Sequence, residues 1–128
     1  MKHLILGALF ILLAFSCNKD ETSSIITTED LIGCWKHDTE NQTTDGSTTY
    51  LMTKCDARDF PASWFRYSLI FEENNMGSEF LLAENDAHSY HDMSWDLLRQ
   101  NLTINGLFQE EEYAVEIVNE ESILLIKK

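Results

Sequence analysis

Basic residues are scarce in this chain of 128 residues: nine lysines and arginines stand against 22 aspartates and glutamates, a formal net charge of −13 with histidine neutral. Phosphate binding draws on clustered Lys and Arg, so nucleic acid is not expected as a partner, and the same acidity repels anionic membrane surfaces. It favours a well-solvated surface, and otherwise cationic partners or loosely held divalent ions. Helical repetition is missing as well, because no long stretch spaces its apolar residues at three and four. There is no Gly-rich phosphate loop, no nucleophile elbow and no Cys/His pair at a recognisable spacing, so neither an enzyme nor a cofactor is expected. The N-terminal apolar run, Leu4 to Phe15, is 12 residues long. A permanent bilayer-spanning helix needs about 20.

That short run is informative in another way. It follows Met1-Lys2-His3, carries no charge, and meets Ser16-Cys17 before turning polar at Asn18-Lys19-Asp20-Glu21. A basic start, a short apolar core and an abrupt polar end describe a cleaved signal peptide. Ala14-Phe15-Ser16-Cys17 resembles the lipobox of bacterial lipoproteins, in which a cysteine is acylated and becomes the mature N-terminus. The resemblance implies a signal peptide over 1–16, an acylated Cys17 and a polar tether over 17–27, and one domain over 28–128. Each buried methylene contributes about 0.8 kcal/mol, so two or more palmitate-type chains would hold the protein stably on the membrane. "NKDE" resembles the export signal by which some Gram-negative lipoproteins reach the outer face of the outer membrane. The implied location is therefore a lipid-anchored, cell-surface one, with the periplasmic face as the alternative. An ordinary secretory peptide cut near Ser16, leaving Cys17 a free thiol, is the other reading of the residues.

Beyond Cys17 the chain has only Cys34 and Cys55. In an oxidising compartment a disulfide between them is the expectation, closing a loop of about 20 residues worth roughly 3 kcal/mol, and two buried thiols are the alternative.

The domain reads as short strands. Thr28 is an N-cap candidate for a helical turn that leads into "GCWKHD". A turn follows at Asp45-Gly46, a strand at Tyr50 to Cys55, and a loop through "DARDFP" to Pro61, the one proline. From Phe65 the alternation has period two, with Phe65, Tyr67, Leu69 and Phe71 on one face. "EENNMG" turns the chain into a strand that places Phe80 and Leu82 on one face. Asn85 to His91 reads as polar loop. "MSWDLL", a turn at Arg99-Gln100-Asn101, "LTI" and a turn at Asn105-Gly106 follow. Tyr113, Val115 and Ile117 alternate next, and Ile123 to Ile126 closes the chain, while Glu110 to Glu112 reads as an edge or turn that charge keeps from pairing. Seven or eight such strands predict an all-β fold: a small antiparallel meander closed into a barrel, with one short N-terminal helical turn.

"DLIGCW", with Gly33 and Trp35, resembles the opening of lipocalins and of the short lipocalin-like domains of bacterial lipoproteins. In that family the tryptophan closes the barrel floor and often packs under an arginine from the last strand, where this chain has Lys127 and Lys128. The short bacterial domains also place a cysteine where Cys55 stands, with Cys34 left as its partner. The resemblance implies a small apolar ligand inside the barrel, lined by Trp35, Phe65, Tyr67, Leu69, Phe71, Trp95, Tyr113 and Val115. A barrel filled by Phe65, Tyr67, Phe71, Phe80 and Trp95, serving as a structural or interaction protein of the envelope, is the alternative. Asp86, His88, His91 and Asp92 form a weak metal candidate, carried mainly by His88 and His91, against which a solvated loop is the simpler reading.

Overall fold

The computed structural model describes residues 24–43, 47–61, 66–82 and 88–128. The chain enters through one helical turn, α1 (Thr28–Leu31), capped by Thr27 rather than Thr28: the Asp30 carboxylate accepts the Thr27 N–H and hydroxyl, both at 2.8 Å. Gly33 then takes φ +128°, a conformation that side chains disfavour, and turns the chain into the first strand. Eight strands follow: β1 (Gly33–His37), β2 (Thr49–Lys54), β3 (Ser68–Phe71), β4 (Met76–Leu82), β5 (His88–Leu98), β6 (Asn101–Asn105), β7 (Glu110–Asn119) and β8 (Ser122–Lys127). They form a closed antiparallel barrel in the order β1-β2-β8-β7-β6-β5-β4-β3. Closure gives every strand a neighbour on both sides, which removes the free edge strands of an open sheet.

From β3 to β8 each strand pairs with the next, as in a meander. The first three strands depart from that rule. β1 lies between β2 and β3, pairing Trp35 with Lys54 on one side and with Leu69 on the other. The chain after β2 must therefore cross over β1 to begin β3, and the Cys34–Cys55 disulfide ties the start of this crossover to β1, beside a Cys55 N–H bond to the Cys34 carbonyl at 3.0 Å. The crossover is pinned further by ions. Arg58 pairs with Asp38 and Glu40, and Arg66 with Glu40 at 2.6 Å. The guanidiniums of Arg58 and Arg66 and the ammonium of Lys36 lie 4.5, 5.0 and 5.4 Å from the ring centre of Phe60. Asp38 is buried; burial pushes its carboxyl up, and the bonds from Asn41, Arg58 and Thr53 outweigh that and hold it below its ordinary value.

Several local expectations are corrected. β5 begins at His88, so His88 to His91 is strand rather than loop, and Glu110 to Glu112 belong to β7, where they pair with β6. The β5–β6 turn is Arg99-Gln100, with Asn101 already in β6. Phe80 lies on the outer face, opposite Tyr90, with ring centres 5.0 Å apart. The inward side of β4 instead carries Gly77 and Glu79, because β4 pairs Gly77 with Phe71 and Glu79 with Leu69. Ile26, which the sequence assigns to the tether, is 3% exposed and packs with the core. The expected turn at Asp45-Gly46 lies outside the described residues, and so do Phe65, Asp86 and Cys17.

Candidate functional site

One end of the barrel is sealed. Ile26 and Leu31 cover it from the N-terminal segment, and the Trp35 indole N–H donates to the Leu31 carbonyl at 2.7 Å, locking the helical turn across the floor. A cation does lie over this tryptophan, but it is Lys54 of β2, 5.7 Å from the ring centre; Lys127 is at the opposite end, paired with Glu111. Beside the sealed end, a solvent-open pocket of about 420 Å³ lies between the N-terminal segment and the β7–β8 hairpin, bordered by Ile26, Lys54, Ile117 and Glu120.

The middle is filled. Met52, Leu69, Leu102 and Leu125 come from four strands and expose 0% of their surface. A void wide enough for a ligand would leave its walls open to water, and these residues have no such wall. Phe71 and Trp95 pack edge to face with ring centres 5.1 Å apart, and the Trp95 N–H is satisfied by the Met76 carbonyl at 2.7 Å. Of the proposed lining residues, Trp35, Leu69, Phe71, Trp95, Tyr113 and Val115 are brought together as buried core, with Tyr67 half-buried beside them.

The opposite end is polar and aromatic. Tyr50 stands at its centre, with ring centres of His37, Tyr67 and Tyr113 at 5.3, 5.8 and 6.3 Å. Inward-facing Glu111 accepts from the Tyr113 hydroxyl and the Lys127 ammonium, both at 2.5 Å, and from the Gln109 amide. Burial pushes the Glu111 carboxyl up, and these donors, led by Lys127, outweigh it and hold it below its ordinary value. Burial raises both the Tyr67 and Tyr113 hydroxyls well above the ordinary tyrosine range, and the nearby carboxylates reinforce it. The sequence contains no signal that separates this polar layer from turn chemistry, except that Glu79 and Glu111 share the parity of buried neighbours.

Glu79 is the unusual member. It is 6% exposed, yet among the described residues no Lys, Arg or His reaches it within ion-pair distance. Its Oε1 accepts the Leu107 N–H at 3.0 Å, and a Cβ on Gly106 would sit 2.0 Å from that same oxygen. The loop between β6 and β7 therefore leans past β5 onto β4, where a side chain at position 106 would displace the Glu79 carboxylate. The tip of this loop, Leu107-Phe108, is 51% and 80% exposed.

The His91 ring bonds the Ser89 hydroxyl at 3.0 Å, and among the described residues no three His, Cys, Asp or Glu side chains gather as metal ligands. The side chain of His88 lies outside the described residues. Comparison of the chain with protein-family models, with curated proteins and with solved structures finds no match in any of the three.

Proposed function

We propose that the chain is an acylated lipoprotein of the cell envelope whose barrel is a structural or interaction module, rather than a carrier of a small apolar ligand. The filled middle of the barrel carries the second half of this reading. Carriers on eight strands enclose a cavity, whereas here the described residues expected to line one belong to a single buried core cluster or pack against it. The first half rests on the short apolar N-terminal run ending at Cys17. Anchoring and a filled barrel fit together, since a rigid domain on a tether is suited to presenting its outer surface and loops.

The experiment has two readouts on the full chain expressed in a Gram-negative host. Metabolic labelling with radioactive palmitate should mark the protein and be abolished by Cys17→Ser. Native mass spectrometry of the detergent-purified protein should show no stoichiometric small molecule beyond the covalent acyl mass. Equal labelling of the Cys17→Ser variant refutes the anchor. A bound lipid whose removal exposes Leu69 or Leu125 to solvent refutes the filled module.

A further inference from the structure

The loop of residues 106–109 is held more firmly than a solvent-exposed turn requires. Gly106 N–H bonds the Gln109 carbonyl at 3.2 Å, Leu107 N–H bonds Glu79 Oε1 at 3.0 Å, and the Gln109 side chain bonds Glu111 at 2.9 Å. Burying a carboxylate without a cation costs free energy, and here Glu79 directs its oxygen to the backbone of this loop. What the loop then presents is two adjacent large apolar side chains, where turn positions ordinarily take Gly, Asn, Asp or Ser. At 80%, Phe108 is the most exposed large apolar residue among those described. Single exposed apolar residues are common, but a fixed adjacent pair on an anchored tip is the arrangement by which a few residues supply most of an interface's binding energy at low ordering cost.

We infer that Leu107 and Phe108 are the docking point of this module for a protein partner carrying an apolar socket edged by lysine and arginine. This rests on the interaction-module reading and names its contact. Exposed Glu110 and Glu112 follow the tip in β7, so a complementary rim is cationic, and the charge of the whole chain points the same way. The tip stands at the end of the barrel opposite Trp35 and the N-terminal entry, so a chain tethered at its N-terminus turns it away from its own membrane. Anionic lipid is the poorer occupant for the same charge reason. Glu79 acts as a positioning residue for the tip.

The test places the photo-crosslinking residue p-benzoylphenylalanine at position 108 of the full chain, and separately at exposed Leu98 and Val118, with irradiation of intact cells. One discrete protein adduct should form from position 108 and not from 98 or 118. It should fall roughly tenfold with Glu110→Lys/Glu112→Lys, the effect of about 1.4 kcal/mol of lost charge complementarity. A Glu79→Ala variant should reduce it too, with faster hydrogen exchange at the Leu107 amide, while Glu79→Gln should restore both. In parallel, the full chain is reconstituted in phosphatidylcholine vesicles containing spin-labelled lipid, with a fluorophore on Phe108→Cys, and should show no quenching. Adducts confined to 98 or 118, or an adduct at 108 indifferent to charge reversal, overturn this docking point and leave the module reading standing. Absence of adducts from all three positions counts against both. Quenching by the spin-labelled lipid assigns the tip to the bilayer and overturns the protein partner.

Discussion

Replacing Cys34 and Cys55 together by alanine tests what holds the crossover in place. The bridge spans a sequence separation of 21, and the chain-entropy relation for a loop of that length gives about 3.3 kcal/mol of stabilisation at 25 °C through the unfolded state. Domains of this size have a total stability of about 5–15 kcal/mol, so the loss is a large share of it. At about 4–8 °C per kcal/mol, Tm should drop by about 15–25 °C. Urea denaturation followed by tryptophan fluorescence measures the free energy directly, and the m-value should rise because the unfolded chain without the bridge exposes more surface. Wild-type protein in reductant should match the double variant. Because Cys55 begins the crossover and its N–H bonds the Cys34 carbonyl, hydrogen exchange at Cys55 should accelerate before any change in β7 or β8. A loss under about 1 kcal/mol, or no difference between oxidised and reduced wild type, would show that the ion pairs of Arg58 and Arg66 hold the crossover without the bridge.

Three further outcomes follow from the polar groups. Glu79→Gln keeps an acceptor for the Leu107 N–H and removes a buried charge, so it should be neutral or stabilising, whereas Glu79→Ala leaves that N–H unpaired at a cost of about 1–3 kcal/mol in equilibrium denaturation. The Glu40 carboxyl, bonded mainly by Arg66, is pulled from 4.5 down to about 2; a lowered folded value means stability present above pH 4.5 and lost as the pH falls toward 2, and Arg66→Met should flatten that acid limb of the stability profile. Tyr67 and Tyr113 are raised by burial, so their stability contribution is present below pH 10 and is lost above it as the unfolded chain ionises. In absorbance titration at alkaline pH these two should ionise only together with unfolding, and early, reversible ionisation of all four tyrosines would contradict the packing of the polar, aromatic end.

How much of this was legible in the sequence varies along the chain. Tyr113, Val115 and Ile117 alternate with Glu112, Ala114 and Glu116, and β7 turns that face inward; a half-buried antiparallel strand writes its own period. Gly33 and Trp35 were legible through the resemblance of "DLIGCW" to a lipocalin opening; the structure gives Gly33 a positive φ and buries Trp35. The order of the first three strands was not. It depends on β2 pairing with β8, Tyr50 opposite Leu125 and Met52 opposite Ile123, and a contact across some 70 positions leaves no local mark. Cys34 and Cys55, if bridged, bring β1 and the end of β2 together, a neighbourhood that a plain meander has as well.

The polar end of the barrel was hidden for a different reason. Phe80, Leu81 and Leu82 are consecutive apolar residues, so alternation cannot choose between the two faces of β4, and hydrophobicity favours putting Phe80 inside. The structure puts Glu79 there instead, because Leu69 must face inward and is its pairing partner. Glu110 to Glu112 pose the same ambiguity with opposite polarity: three acids in a row look like a protected edge, yet the middle one points inward to Tyr113 and Lys127. In both runs, pairing with a strand whose face is already decided overrides local composition, and moving either strand by one residue would put every side chain on the wrong side. A buried acid in such a run persists only where something gives it donors, as Lys127, Tyr113 and Gln109 do for Glu111. For Glu79 the donor is the backbone of the loop that carries Leu107 and Phe108, which links the least legible residue of the barrel interior to the surface feature that calls most for a partner.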